Sequence, residues 1–133
     1  MLPSRVIKVY RALLAGLVLL LVSCSADETA WSPQPQPWED LTIRVETRPV
    51  QPRLGMNEFL LIANHQQRGF INNLLVEVRT TESDWKQAMP DGALGVFRRA
   101  LPVADLQHDQ LFVRLTRDGR HGEMTFPLSV SGQ

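Results

Sequence analysis

The sequence predicts an all-β fold over residues 41–133: a small immunoglobulin-like antiparallel sandwich of about six or seven strands. In this region apolar and polar residues alternate with a period of two in several short segments, which is typical of half-buried strands. Turn residues separate these segments at intervals of roughly 10 to 15 residues, a spacing typical of sandwiches. No segment has the apolar periodicity of an amphipathic helix.

Seven segments are strand candidates, and turn chemistry sets several of their limits. Residues 58–63 are an almost continuous apolar run, as expected of a strand in a sandwich core. Residues 89–92, Met-Pro-Asp-Gly, predict a reverse turn, and Asp118 with Gly119 predicts a tight hairpin turn. Pro102 is expected to end the strand before it. The candidates are residues 41–46, 58–63, 74–79, 81–88, 95–101, 111–116 and 124–129.

The same alternation predicts which side chains face the core, because every second residue of a strand points to the same face of its sheet. A rival interpretation makes residues 103–110 a helical turn and the fold an open barrel. The expected core residues are Ile43, Val45, Phe59, Leu61, Val76, Val78, Val113, Leu115, Phe126 and Leu128.

A secretory signal peptide is predicted for residues 1–23. It begins with basic residues, continues with an uncharged apolar stretch over 12–22 and ends with a small residue before Cys24. The apolar stretch is about half of the ~20 residues that a membrane-spanning helix needs, which favours a cleaved signal over a retained anchor.

Residues Leu21, Val22, Ser23 and Cys24 resemble the lipobox of bacterial lipoproteins. The resemblance implies cleavage before Cys24, a diacylglycerol thioether on its sulfur and a fatty acid such as palmitate on its new amino group. Several acyl chains hold a protein on a membrane almost permanently, since each buried methylene adds about 0.8 kcal/mol. Ser25 stands where such lipoproteins carry an aspartate for inner-membrane retention, so the resemblance implies the periplasmic face of the outer membrane.

Residues 24–40 are predicted to comprise the lipidated cysteine and a flexible tether. Prolines alternate with glutamines over residues 33–37, a sequence that favours extended polyproline II over a helix. At ~3.1 Å per residue this tether would hold the domain up to about 50 Å from the lipid. Trp31 and Trp38 flank the prolines and either pack on the domain, lie at the membrane interface or belong to a partner site. Packing on the domain is expected for Trp38.

Charge and cysteine content narrow the classes of function. Three of the fourteen basic residues precede Cys24 and all fourteen acidic ones follow it, so the mature chain has eleven basic and fourteen acidic residues. This balance argues against a nucleic-acid binder, which would need a concentrated basic patch. About 110 residues remain after cleavage, enough for one small domain. Because Cys24 is the only cysteine, no disulfide can form within the chain.

Two turn-containing segments carry a second resemblance. Residues 55–59, Gly-Met-Asn-Glu-Phe, and residues 89–92 resemble the small sandwich domains of the FixH-like and YtkA-like group. The match covers about half of the domain. It implies a membrane-attached accessory protein, since members of that group take part in copper handling or in the assembly of respiratory oxidases.

No ligand spacing in the chain is that of a metal-binding motif, so no metal site or cofactor is expected. Copper is the alternative, because imidazole and thioether ligands together suit Cu(I). The candidate ligands are His65, His121 and Met124. On one strand His121 and Met124 point to opposite faces, which argues against a site that they share. No catalytic motif such as Gly-x-Ser-x-Gly or His-Glu-x-x-His occurs, so no enzymatic activity is expected.

Binding to a protein partner is therefore the expected function. An exposed arginine can pair with an acidic group or a phosphate, and an exposed strand edge can accept a partner strand. The sequence thus predicts a lipid-anchored, non-catalytic interaction or assembly module, with a copper-binding accessory protein for metalloenzyme assembly as the alternative. The arginines expected to contact a partner are Arg98, Arg99, Arg114, Arg117 and Arg120.

Overall fold

The computed structural model describes residues 29–65, 67, 71, 73–92 and 95–129. The strands are β1 (Gln36–Trp38), β2 (Leu41–Arg48), β3 (Gly55–His65), β4 (Leu75–Thr80), β5 (Lys86–Gln87), β6 (Met89–Pro90), β7 (Val96–Val103), β8 (Gln110–Arg117) and β9 (Arg120–Pro127). They form a five-stranded sheet in the order β1-β2-β3-β7-β6 and a four-stranded sheet in the order β5-β4-β8-β9. The predicted signal peptide and Cys24 lie outside the described residues. Within the ranges described, no helix is long and apolar enough to cross a membrane.

The predicted all-β sandwich is confirmed. Strands β2, β3, β7 and β6 lie side by side in one antiparallel sheet, and β4, β8 and β9 lie in the other. This is the strand arrangement of an immunoglobulin domain. The open-barrel alternative is wrong, because the two sheets remain separate. Between β7 and β8 the chain makes a single turn, in which the Asp109 N–H donates to the Asp105 carbonyl at 2.8 Å.

The core lies between the two sheets. All ten side chains that were expected to face inward are buried, each with at most 2% of its surface exposed. Leu41, Leu101 and Leu111 join them and are fully buried. Burying one such side chain stabilises a fold by about 1.5–3 kcal/mol. The period-two alternation of the long strands therefore accounts for these inward positions of the core.

Two predicted strand limits are wrong around β6 and β7. Met89 and Pro90 do not form a turn but pair with β7 as a short edge strand, and the chain turns afterwards, where Gly92 has a φ of 72°. Strand β7 also continues through Pro102 to Val103. The Pro102 carbonyl accepts a hydrogen bond from Thr80 Oγ1 at 2.6 Å, on the side of β7 that has no strand neighbour. A proline there removes no hydrogen bond from the sheet.

The hairpin predicted between the last two strands is confirmed. Arg117 pairs with Arg120, and the two residues between them have positive φ angles, 51° at Asp118 and 75° at Gly119. Two consecutive positive φ angles define the type I′ turn, whose twist matches that of the flanking strands. Asp and Gly are among the residues that tolerate this backbone conformation best.

The tether prediction is wrong at its domain end, because residues 31–40 are part of the sandwich. Trp31 is only 3% exposed, and its indole Nε1 donates to the Pro127 carbonyl at 3.1 Å. Strand β1 pairs with β2, while the Gln36 side chain donates to the Thr125 carbonyl of β9 at 2.7 Å. This segment therefore bridges the two sheets along one side. Alternating prolines exclude a helix, but they do not prevent an extended chain with a large apolar side chain from packing on a core.

Candidate interaction surface

A stack of aromatic and guanidinium groups lies on the outer face of the four-stranded sheet. The Arg79 guanidinium carbon lies 3.9 Å from the centre of the Phe112 ring and 5.3 Å from the centre of the Trp85 ring. The Arg114 guanidinium carbon lies 4.0 Å from the centre of the same Trp85 ring. We call these four residues the cation–π ladder.

Strand register places the ladder on one face. Arg79 on β4 is directly opposite Phe112 on β8, and Arg114 is opposite both Glu77 on β4 and Glu123 on β9. Residues directly opposite one another project to the same side of the sheet, where their side chains meet. The ladder thus follows from alternation along β4 and β8, with Trp85 joining it from the segment just before β5.

Two carboxylates hold Arg114 in place within the ladder. Arg114 Nε donates to Glu123 Oε1 at 3.0 Å, and its NH1 group lies 3.8 Å from Glu77 Oε2. Each planar guanidinium is therefore fixed by the ring that it stacks on, and Arg114 also by its acidic neighbours. Ordering these long side chains in advance lowers the conformational entropy that a partner must overcome on binding.

The composition of this face is typical of the centre of a protein interface. Tryptophan and arginine are the residues most enriched among those that dominate binding energy. Trp85 and Phe112 are half-buried, so part of each ring remains accessible, and Leu75 is exposed on the same face. Two arginines and two glutamates leave the face electrically balanced, which favours a mixed polar and apolar partner surface over a strongly charged one.

The five arginines expected to contact a partner lie in three separate places. Arg114 belongs to the ladder, whereas Arg98 and Arg99 lie on β7 in the other sheet. Arg98 is neutralised by two acids, Glu58 at 3.3 Å and Asp91 at 3.1 Å. Arg99 is half-buried, and no ion pair connects it to any other described residue.

Arg117 and Arg120 lie at the β8–β9 hairpin and connect it to the turn between β1 and β2. Arg117 binds Asp40 through its NH2 group, and Arg120 NH1 lies 2.7 Å from Glu39 Oε2. The Arg117 side chain is only 10% exposed and lies against the Trp38 ring. Arg117 therefore stabilises the fold from inside and is not accessible to a partner in the way the sequence predicted.

Asp40 is the centre of this end of the sandwich. It binds Arg117 with one oxygen, and its other oxygen lies 2.6 Å from His65 Nε2. Hydrogen bonding from the Arg117 guanidinium holds the pKa of the Asp40 carboxyl below its usual value, against a smaller opposing effect of desolvation. The cluster joins β1–β2, β3 and the β8–β9 hairpin electrostatically.

The candidate copper ligands are not brought together. The ring of His65, at the end of β3, accepts from the Gln67 N–H at 3.1 Å in addition to its contact with Asp40. His121 lies on the outer face of β9 beside Thr116, while Met124 is buried on the inner face. Among the residues that the structure describes, no three His, Cys, Asp or Glu side chains are grouped as a metal site would require.

A second His–Asp contact lies in the β7–β8 turn. His108 Nδ1 is 2.7 Å from Asp105 Oδ2, and Asp105 Oδ1 accepts the Gln107 N–H at 2.9 Å. The hydrogen bond from His108, with a smaller effect of the Gln107 N–H, keeps the pKa of Asp105 below its usual value. Such bonds to nearby N–H groups are typical of an Asp that shapes a turn.

Sequence reasoning missed three of the four ladder residues, Arg79, Trp85 and Phe112. The signal available was their position at outward places of strand candidates, but pairing between strands is needed to bring them together. Comparison of the chain with protein-family models, with curated proteins and with solved structures gave no match.

Proposed function

We propose that this protein is a lipid-anchored, non-catalytic interaction or assembly module, and that it contacts a protein partner through the cation–π ladder. Its place is the periplasmic face of the outer membrane. The lipobox at Leu21–Cys24 supports the anchor, and Ser25 supports the outer over the inner membrane. The observation that carries the binding role is Trp85, whose ring centre lies 5.3 Å from the guanidinium carbon of Arg79 and 4.0 Å from that of Arg114 on an outward face.

The ladder is suited to recognition because it is built before the partner arrives. Two rings and two guanidinium planes present flat surfaces, and Arg114 has donors in a rigid fork that can reach a carboxylate or carbonyl of the partner. The compact ammonium group of a lysine has no such plane. The proposal therefore requires arginine at position 114 and not merely a positive charge.

The test of the binding role is site-specific photo-crosslinking in intact cells. A photoreactive residue at His121, exposed on the ladder face, is expected to crosslink a defined partner, and one at Arg44 on the outer face of the other sheet is not. Trp85→Ala and Arg114→Lys should each abolish the crosslink from position 121. Arg44→Lys is the matched control and should leave it unchanged. Equal crosslinking from both sheets, or a crosslink that survives Trp85→Ala, would refute the ladder as the contact.

The anchor is tested by mass spectrometry of the membrane-extracted protein. Cleavage before Cys24 with added acyl chains is expected, and Cys24→Ala should release the domain from the membrane fraction. A Cys24→Ala protein that stays membrane-bound with the same mass shift would contradict lipidation at this residue.

A further inference from the structure

The loop between β2 and β3 presents two apolar side chains to solvent. Val50 is 47% exposed and Leu54 is 63% exposed, although both are residues that usually avoid water. Met56, two residues after Leu54 at the start of β3, is 54% exposed. Exposed apolar residues grouped in this way mark a contact with a partner or a membrane more often than scattered ones do.

The loop is held rigidly in this exposed conformation. The Asn57 side chain is 1% exposed and makes three hydrogen bonds, all to the turn that carries Leu54. Its Oδ1 accepts the Arg53 N–H at 2.9 Å, and its Nδ2 donates to the carbonyls of Arg53 at 2.7 Å and Gly55 at 3.1 Å. A buried amide thus fixes the backbone while the leucine between its partners points outward.

The N-terminal segment enters the sandwich beside the same loop. The Trp31 N–H donates to the Val50 carbonyl at 2.7 Å, and the Gln51 side chain donates to the Thr29 carbonyl at 2.5 Å. Thr29 is only five residues after Cys24. Even a fully extended chain spans at most about 3.6 Å per residue, so Thr29 lies within roughly 18 Å of an acylated Cys24. The loop therefore lies beside the point where the anchor enters the domain.

The charge of the loop suits an anionic lipid surface. Arg48 and Arg53 are exposed, and residues 48–57 contain no acid. Glu58, the first acid after them, makes its ion pair with Arg98. Near an anionic membrane each such arginine strengthens attraction about fivefold, and exposed apolar side chains add affinity when they enter the headgroup layer.

We propose that the β2–β3 loop docks on the lipid bilayer, with Val50 and Leu54 among the headgroups and Arg48 and Arg53 against anionic phospholipid. This inference rests on the proposed lipid anchor at Cys24. The loop and the β8–β9 hairpin lie at opposite ends of the strands. Docking therefore directs the hairpin away from the membrane and leaves the ladder face at the side of the domain, accessible to a partner.

The test measures how close the loop lies to acyl chains in the mature, reconstituted protein. Leu54→Trp and Leu75→Trp each add one tryptophan at an exposed leucine, the first in the loop and the second at the far end of the sandwich. Vesicles of phosphatidylcholine and phosphatidylglycerol carry bromines on the acyl chains, which quench nearby indoles. The parent protein gives the baseline. The tryptophan at position 54 should lose its added fluorescence, and the one at position 75 should keep it.

The charge requirement has its own comparison. Arg48→Gln combined with Arg53→Gln, or vesicles of phosphatidylcholine alone, should restore the fluorescence of Leu54→Trp, since each arginine contributes about fivefold to the attraction. Arg44→Gln is the matched control and should leave quenching intact. The docking proposal is overturned if the Leu54→Trp and Leu75→Trp proteins fluoresce equally. It is also overturned if replacing Arg48 and Arg53 leaves the quenching of Leu54→Trp unchanged.

Failure of the anchor is recognised separately. Mass spectrometry of the same samples shows whether Cys24 carries acyl chains, so an unmodified cysteine counts against the proposed anchor. In that case the chain is attached through Cys24 to a maleimide lipid and the quenching is measured again. Loss of fluorescence at position 54 then supports the docking surface independently of natural lipidation. Unchanged fluorescence at position 54 rejects the docking surface.

Discussion

Trp31 packs edge-on against Phe59, with ring centres 6.2 Å apart and an angle of 81° between the ring planes. Phe59 is at the middle of β3 and fully buried, whereas Trp31 comes from the segment that precedes the first strand. The contact therefore ties the N-terminal segment to the centre of the core. Aromatic pairs in this geometry add about 0.5–1.5 kcal/mol beyond the area that they bury.

Replacing Trp31 by alanine is expected to destabilise the domain strongly. The change leaves a cavity beside Phe59 and removes the indole hydrogen bond to Pro127, and such truncations cost about 3–5 kcal/mol. Urea unfolding of a soluble 25–133 fragment measures the free energy. Trp85→Ala is the control, because half-buried Trp85 leaves no core cavity. Similar losses for the two variants would contradict the assignment of Trp31 to the core.

A fragment that begins at Leu41 should be less stable than one that begins at Thr29. The shorter fragment lacks Trp31 and β1, so the edges of β2 and β9 that this segment covers become exposed. We expect a lower urea midpoint and weaker protection of β2 and β9 amides in hydrogen exchange. Equal midpoints would show that residues 29–40 act only as a spacer.

Gly122→Ala is expected to displace Trp38. A Cβ atom at this position would overlap three atoms of the Trp38 indole, which covers the glycine. Forcing extra volume into a packed contact costs about 1–3 kcal/mol. In a Trp38→Ala background the same glycine change should cost much less, because the two positions are coupled. An unchanged cost in that background, measured by urea unfolding, would show that the indole does not rest on Gly122.

Stability should decrease in acid in a way that depends on Asp40. Its pKa is lowered in the folded state from an ordinary value of 3.8, so its contribution is present above that pH and is lost as pH falls through the lowered value. Asp40→Asn should therefore destabilise the domain near neutral pH and converge with the parent in strong acid. Asp118→Asn is the control. A difference between Asp40→Asn and the parent that does not change with pH would contradict the ion pair with Arg117.

The ladder should show a measurable coupling between Trp85 and Arg114. In a double-mutant cycle with Trp85→Ala and Arg114→Ala, we expect an interaction energy of about 0.5–1 kcal/mol, the range for exposed cation–π pairs. Two-state urea unfolding of the parent, the two single variants and the double variant measures this interaction energy. Trp85 paired with Arg44, on the opposite sheet, is the control cycle and should show none. Coupling of equal size in both cycles would mean that the stacking is not what stabilises the ladder.

Local patterns in the sequence were sufficient to predict most of the fold. Alternation predicted all ten of the expected core residues, and Asp118 with Gly119 predicted the hairpin turn, because both signals depend only on neighbouring residues. The prediction that Pro102 ends its strand was wrong because it depends on residues that are not neighbours in sequence. Whether a proline interrupts a strand depends on which side of it has a hydrogen-bonding neighbour, and that neighbour is distant in sequence.

The candidate site was less accessible to prediction than the core. Arg114 was among the expected contact residues, but its stacking partner Trp85 was assigned only to an edge segment, and Arg79 and Phe112 were not singled out. Arg117 was expected to be exposed, and it is buried against Trp38 and Asp40 instead. Charge in a sequence indicates a solvated residue on average, but only packing shows which arginine is enclosed.

By itself the sequence determined the strand alternation and the hairpin turn, and it carries the resemblance to a lipobox, because each depends on residues that are adjacent or nearly adjacent along the chain. Only the tertiary structure decided that Trp31 belongs to the core, that four side chains stack on one outer face and that the loop carrying Leu54 lies beside the entering segment. Each of these depends on pairing and packing between segments far apart in sequence, and the free energy of such contacts does not appear in any local pattern.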